Sequence, residues 1–256
     1  MKSAFGLVLL VAICAAAPVF GADLTADQVD KLLAAATPDR PADLSGKSLE
    51  KLDLSNFDFS RANLSRANLF GAKLVGGNFT GANLSGAKLD LAWIMRANFT
   101  NANLSNASLL GLVVASGLDY SAAEAPTFEG ANFSGAHILA RLVRFDLRSA
   151  DFSGAKLGAD LKNQSMGLMR TDLSGANLTR AAFSRADLTL ALMRFAHLAG
   201  ANLTGANLSD ADLSGADLSG ADLTDVNATG ADFGGAILTN ARGLDTIKGW
   251  KPPQRQ

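Results

Sequence analysis

Cysteine, histidine and long apolar runs are scarce in this sequence, and each shortage excludes a kind of fold or site. The chain has 256 residues and one cysteine, Cys14, which excludes an internal disulfide framework and a site built from several cysteines. The only histidines are His137 and His197. Lysine plus arginine number 23 against 24 aspartate plus glutamate, a balance that argues against a general nucleic-acid binder. Only residues 4–17 form a long apolar run, so no later segment could span a bilayer.

This apolar run lies where a secretory signal peptide would be. Lys2 precedes it, and PVFGAD follows it with small residues suited to cleavage after Gly21 or Ala22. Residues 1–22 are therefore predicted to be a bacterial signal peptide, and the mature protein to be secreted or periplasmic, without a thiol or a transmembrane segment. Two alternatives stay open for the run, an N-terminal core helix and lipidation at Cys14.

A five-residue repeat dominates the rest of the chain. Leu or Phe recurs at every fifth position from Leu44 to Leu109, and Ala stands two residues before most of these central residues. Further groups are Phe128 to Val143, Leu147 to Leu157 and Leu173 to Leu238. A period of five fits neither a helix nor a plain strand, so the chain must turn a corner once per unit. Four units would form a 20-residue coil with Leu or Phe inside, and coils would stack about 4.8 Å apart.

Aromatic residues support four sides for each coil. Phe59, Phe79 and Phe99 recur at 20-residue intervals among aliphatic central residues. We therefore expect them to stack as one column inside the coil.

The segments ANLSRANLFGAKL, GANLSGAKL and ADLSGADLSGADL resemble the pentapeptide-repeat family. The resemblance implies an all-β fold, a right-handed quadrilateral parallel β-helix. It says less about activity, since most members have none established and the best understood imitate duplex DNA and protect bacterial topoisomerases.

Interruptions of the repeat are interpreted as local bulges or short loops within one superhelix. Counting through them gives roughly 40 sides and about ten coils, on the order of 48 Å long. We expect a repeat array over 42–240, preceded at 23–41 by a short capping helix and a linker. The helix is predicted from the capping-box pair Thr25 and Gln28 and an apolar face at Val29, Leu32 and Leu33. Residues 241–256 are expected to supply a small C-terminal cap at Leu244 and Ile247, then a disordered tail.

The acidic residues do not predict a catalytic or metal site. Asp212, Asp217 and Asp222 should lie on successive sides, whereas Asp212 and Asp232 should stack on one side. The two histidines are expected on one face, three coils and about 14 Å apart, too far to share a metal. We therefore predict no enzyme activity, no catalytic or metal residues and no cofactor.

Two surface regions are candidate interaction sites. Val75, Trp93, Met95 and Val113 are predicted to form an outward apolar patch, covered either by residues 115–126 or by a partner or second copy of the chain. A second apolar spot is expected on the same side five coils beyond, at Leu192 and Phe195.

A charged segment is the other candidate. Arg141 stands two residues before Val143, where the repeat calls for an inward Ala, so it is expected either to turn outward or to pair with an acid. This candidate irregular site comprises Arg141, Arg144, Asp146, Arg148 and Asp151.

Charge is uneven along the array. Residues 137–197 carry nine basic and five acidic residues, whereas residues 201–245 carry one basic and seven acidic residues. Such polarity can steer a charged partner or drive head-to-tail self-association, and a homodimer is one form of that association. The alternative is an ordinary solvated repeat surface.

Taken with the predicted export, these features favour a non-enzymatic scaffold that binds an unidentified protein or envelope component, without specific nucleic-acid binding. The alternatives are a DNA mimic that protects a topoisomerase and a β-helix enzyme that acts on polysaccharide through clustered acids.

Overall fold

The computed structural model describes residues 21–115, 122–159 and 169–250. Within these ranges lie one α-helix, α1 (Ala26–Ala34), one 3-10 helix (Ala122–Glu124) and two short strands, β1 (Ser108–Leu110) and β2 (His137–Leu139). None of the helices in these ranges is long and apolar enough to cross a membrane. The predicted signal peptide (1–22) lies outside the described residues except for its last two, and so does the end of the predicted tail (251–256).

The repeat folds into stacked coils joined by parallel β-bridges. Asp43 pairs with Asn63, Ser48 with Asn68, Asp53 with Lys73 and Asp58 with Asn78, so each coil has four bridging positions and takes 20 residues. We name these positions sides A, B, C and D in that order. Most sides contribute one bridging residue per coil, which is why only β1 and β2 on side B are long enough to count as a strand pair.

The ladder of bridges along side A spans nine complete coils, and a tenth coil begins at Arg242. At strand spacing the nine coils make a stack about 43 Å long. The ladder runs through Asp43, Asn63, Asn83, Asn103, Asn132, Asp151, Ala182, Asn202, Asp222 and Arg242.

The interior follows the predicted pattern. The central Leu or Phe of nearly every unit is buried, and so is the Ala two residues before it. Phe59, Phe79 and Phe99 stack with centroid distances of 4.7 and 4.6 Å, which confirms the predicted column on side D. The column continues to Phe128 at 4.9 Å. A second column, on side A, joins Phe133 to Phe152 and Phe152 to Phe183 at 4.9 and 4.8 Å.

Three breaks in the bridge register explain why the structure has fewer coils than were counted from the sequence. Bridge spacing rises to 29 residues across an insertion between Val114 and Phe128, and to 31 across another between Leu157 and Leu173. It falls to 19 across a one-residue deletion. The prediction of about ten coils is therefore wrong by one coil, because each insertion occupies a single side instead of adding sides.

The deletion also corrects the predicted central residue Val143. Leu142 is buried and its N–H donates to the Asp172 carbonyl at 2.7 Å, whereas Val143 is half-buried beside it. The short step therefore lies between Ile138 and Leu142, not after Val143.

The corrected number of sides also changes where the two histidines lie. His137 bridges on side B and His197 on side D, so the prediction that they share a face is wrong. The predicted separation of the acids is confirmed, since Asp212, Asp217 and Asp222 lie on sides C, D and A, and Asp212 bridges Asp232.

Asp and Asn stand before the central residue because their side chains close the next turn. Asn63 Oδ1 accepts the Ser65 N–H at 3.2 Å, and the Asp222 carboxylate accepts both the N–H and the hydroxyl of Thr224, at 3.1 and 2.6 Å. This is the local hydrogen bonding that Asx residues offer in turns. The pKa of Asp222 lies below its ordinary value, first because of the Thr224 hydroxyl, then the Thr224 N–H, with a smaller contribution from Arg242.

We expect a stability loss in acid from these turns. The pKa values of Asp53, Asp217 and Asp222 are all lowered, chiefly by hydrogen bonds from the hydroxyls of Ser55, Ser219 and Thr224. The stabilisation that these carboxylates give the folded state is therefore complete above the unfolded-state pKa of about 3.9. It is lost as the pH falls through the lower folded-state pKa values. Replacing all three Asp by Asn keeps the Oδ1 acceptor and removes the titration. Thermal unfolding at pH 7 and pH 3 should show a smaller fall in Tm for the variant than for the native chain. An equal fall in both proteins would contradict this account.

Both ends of the stack carry packed segments. Helix α1 begins with the predicted capping box, since Thr25 and Gln28 bond reciprocally. Val29 is fully buried and Leu33 packs on the core, but Leu32 is 42% exposed, so the predicted apolar face is narrower than expected. At the other end the Trp250 ring contacts Phe233, with centroids 4.9 Å apart. Leu244 and Ile247, the predicted cap residues, are half-buried against the core.

Candidate binding face

The three register breaks all border side C, in three successive coils. The first insertion leaves side C after Val114, and the deletion lies at the turn from side B to side C, before Leu142. The second insertion leaves side B after Leu157 and rejoins the ladder on side C at Asp172. Each of the three breaks therefore lies at a turn that begins or ends side C.

A pocket of about 360 Å³ lies between these breaks. Its lining includes Leu112, Val114, Leu139 and Ala140, which retain 7 to 9% exposure whereas most core side chains retain almost none. The apolar interior of the stack thus reaches the surface here. The rest of the lining comprises Gly111, Arg141, Met169, Arg170, Asp172 and Leu192.

Thr171 fixes one wall of the pocket. It is fully buried, and its hydroxyl donates to the Ile138 carbonyl at 2.9 Å. The Asp172 N–H donates to the Ala140 carbonyl at 3.0 Å, which restores the ladder immediately after the insertion. Met169 and Arg170 are thereby held beside β2, and both are exposed.

The predicted patch around Trp93 is present only in part. Trp93 is 40% exposed and bridges Val113, as predicted for neighbouring coils of one side, and Val75 and Val113 are half-buried. Met95, in contrast, is only 5% exposed, so its predicted outward exposure is wrong. The last part of the first insertion returns to the neighbouring residue, since the Arg96 N–H donates to the Glu124 carbonyl at 2.8 Å.

Leu192 and Phe195 lie where side C continues above the pocket. Leu192 is half-buried and belongs to the pocket lining, and Phe195 is 67% exposed. They are four coils above the Trp93 region, not five as the sequence count predicted. Phe195 has φ 54° at a corner and its ring lies over Gly215 (φ 67°), where a Cβ would collide with it. Glycine at that corner leaves room for the ring.

The predicted charged cluster does not form one site. Arg141 is exposed on side C, where it bridges Asp172, so it turns outward and does not occupy an inward Ala position. Arg144 lies at the next corner with φ 59°. Asp146 and Arg148 lie on side D, and Asp151 on side A.

Arg148 is instead the centre of an ion-pair network on side D. Its guanidinium lies 2.7 Å from Asp146 and 3.0 Å from Glu129. The hydrogen bonds from Arg148 hold the pKa of Asp146 below its usual range, against the opposing effect of partial burial. These residues bind one another, which leaves Arg141 as the member of the cluster that contributes to the pocket.

Sequence reasoning missed most of the pocket: Leu112, Val114, Leu139, Ala140, Met169 and Arg170. A signal was present in the segments LLGLVVA and HILARLV, where aliphatic residues replace the small polar residues of the repeat. In the part of the chain that the structure describes, no group of three or more His, Cys, Asp or Glu side chains is arranged to hold a metal ion. The pocket on side C therefore presents apolar and cationic side chains.

The family model for pentapeptide repeats matches eight copies over residues 42–76, 62–101, 171–210 and 206–242. The chain belongs to the pentapeptide-repeat family. No curated protein sequence matches it.

Solved pentapeptide-repeat structures are similar to the chain over most of its length. HetL, a protein involved in heterocyst differentiation regulation from the cyanobacterium Nostoc sp. strain PCC 7120, is 29% identical over 88% of this chain and 96% of its own, with a TM-score of 0.39. QnrB1, a plasmid-mediated fluoroquinolone resistance protein, is 22% identical over 76% of this chain and 92% of its own, with a TM-score of 0.42.

The match to the pentapeptide-repeat model stops at residue 101 and resumes at residue 171. Both insertions, the deletion and most of the pocket lining lie in this interval. The candidate binding face therefore lies where this member departs from the family's regular repeat.

Proposed function

We propose that the protein is an exported, non-enzymatic scaffold with the right-handed quadrilateral β-helix of its family, and that it binds a protein or envelope component through side C. One observation carries the proposal: the breaks in the repeat coincide with a surface pocket and with exposed large apolar side chains. Trp93, Met169 and Phe195 are 40%, 42% and 67% exposed, and they lie between one coil below the first insertion and one coil above the second. Large apolar side chains exposed along one face of a protein are typical of an interaction site.

Export is proposed from the sequence of residues 1–22, and N-terminal sequencing of the protein from its producing cell tests it. A mature chain beginning near Asp23 supports a periplasmic or secreted scaffold. Recovery of Met1 in soluble cytoplasmic protein would contradict it.

We favour side C over duplex-DNA mimicry because the corners of the stack are not uniformly acidic. Arg61 and Arg180 lie in one corner column, and Arg66 and Arg185 in the next. Their positive charges interrupt the continuous negative surface that a DNA mimic presents, and predicted export would separate the protein from a cytoplasmic topoisomerase.

The double variant Trp93→Ser, Phe195→Ser tests the binding face. Both side chains are exposed, so we expect Tm to stay within a few degrees of the native value and partner capture from the periplasmic fraction to fall at least about tenfold. The matched control is Ile237→Ser, which removes a 50% exposed apolar side chain from side D. Capture should persist in the control. Equal capture by the native protein and the double variant would exclude side C as the interface.

A further inference from the structure

The pocket on side C combines an aliphatic wall with two cationic groups that form no ion pair with the residues that the structure describes. The aliphatic part is the exposed edge of the core at Leu112, Val114 and Leu139. Arg141 and Arg170 also line it, both are exposed, and neither forms an ion pair within the described residues. Guanidinium groups make strong charge-assisted hydrogen bonds to carboxylates and similar anions.

Asp172 is the acid in the lining, and its carboxylate is already engaged. Its Oδ1 accepts the Ser174 N–H at 3.0 Å, as in the other turns of the stack. The three charged groups of the lining therefore leave a net positive charge beside the apolar wall. A neutral apolar ligand would leave both guanidinium groups unused, and a small hydrophilic anion would leave the aliphatic wall in water.

We propose that this pocket binds a small amphiphilic anion, with an alkyl or acyl chain on the aliphatic wall and a carboxylate on Arg141 and Arg170. The volume of about 360 Å³ lies within the range of small-ligand sites, about 300 to 1,000 Å³, near its lower end. A single chain of medium length suits that size. This assignment deepens the proposed binding role and rests on it, because it names an acyl carboxylate as the envelope component that side C recognises.

Calorimetric titration of the mature protein with octanoate, octanol and acetate tests the assignment. Octanoate should bind at one site, octanol at least about tenfold more weakly because it lacks the carboxylate, and acetate not detectably because it lacks the alkyl chain. The variant Arg141→Gln, Arg170→Gln should bind octanoate no better than octanol. The control Arg180→Gln changes an exposed arginine at the corner after side D and should bind as the native protein does.

A third variant, Ala140→Trp, fills the pocket and should abolish both octanoate and octanol binding. Circular dichroism melting identifies variants that fail to fold, and the arginine variants, which change exposed side chains only, keep the test decisive if Ala140→Trp does not fold. Equal affinity for octanoate and octanol, unchanged octanoate binding by the double arginine variant, or no octanoate binding would overturn the assignment. Lipid vesicles that contain a long-chain fatty acid separate the two sources of the carboxylate. A protein that recognises membrane-embedded fatty acid would bind these vesicles, whereas one that recognises only the free carboxylate would stay in solution and bind octanoate there.

Failure of this assignment and failure of the proposed function give different results. If octanoate does not bind but the Trp93 and Phe195 variant still loses its partner, side C binds a protein without an amphiphile. If octanoate binds and the Trp93 and Phe195 variant captures its partner as well as the native protein does, the pocket is a ligand site and the wider face is not an interface.

Discussion

Replacing Phe99 by Ala is expected to lower the free energy of unfolding by about 3 to 5 kcal/mol. Phe99 is 1% exposed and stacks between Phe79 and Phe128, with centroids 4.6 and 4.9 Å away. The Phe99–Phe128 contact also spans the first insertion, so it joins coils on either side of that break. Loss of the ring leaves a cavity that the neighbouring coils cannot fill, because their backbones are fixed by the ladder.

Phe195→Ala is the matched control for this prediction. It makes the same chemical change at a side chain that is 67% exposed, and we expect a change within about 0.5 kcal/mol. Urea unfolding followed by circular dichroism measures both variants. Similar losses for the two would mean that the interior aromatic column does not stabilise the stack.

Replacing Ala206 by Leu is expected to cost about 1 to 3 kcal/mol or more through overpacking. Ala206 is 1% exposed and occupies the inward position two residues before Leu208, where the corner of the coil leaves no space for a larger side chain. Ala182 provides the control, because it stands one residue before Phe183, bridges Asp151 and Asn202 and is half-buried on the outer surface of side A.

The same measurement applies to Ala182→Leu, for which a change within about 0.5 kcal/mol is expected. Equal destabilisation by the two leucines would contradict the assignment of Ala206 to the inside of the coil and Ala182 to the outside.

The regular coils were predictable from sequence because each unit repeats one local solution. Leu at the central position indicates an inward side chain, and Ala two residues before it indicates a tight corner. Asx one residue before it indicates a turn hydrogen bond. Phe59, Phe79 and Phe99 therefore predicted both the period of 20 and the aromatic column. Nothing in these rules depends on residues that are distant in sequence.

The register between Leu109 and Leu173 was not predictable in the same way. Apolar residues follow one another there, so Leu142 and Val143 are equally good central residues by local pattern, and only the bridge from Arg141 to Asp172 selects Leu142. The burial of Met95 also depends on a long-range contact, the return of the chain to Arg96 through Glu124. The pocket could not be predicted because its residues come together across both insertions.

Site-specific photo-crosslinking in the producing cell tests most directly whether side C is the binding face. A photoreactive residue would replace Trp93 or Leu192 on side C, and Asn177 on side D or Asn202 on side A as controls. The structure predicts adducts to another molecule from positions 93 and 192 and none from positions 177 and 202. Adducts from position 177 or 202, with none from position 93 or 192, would contradict the assignment of side C as the binding face.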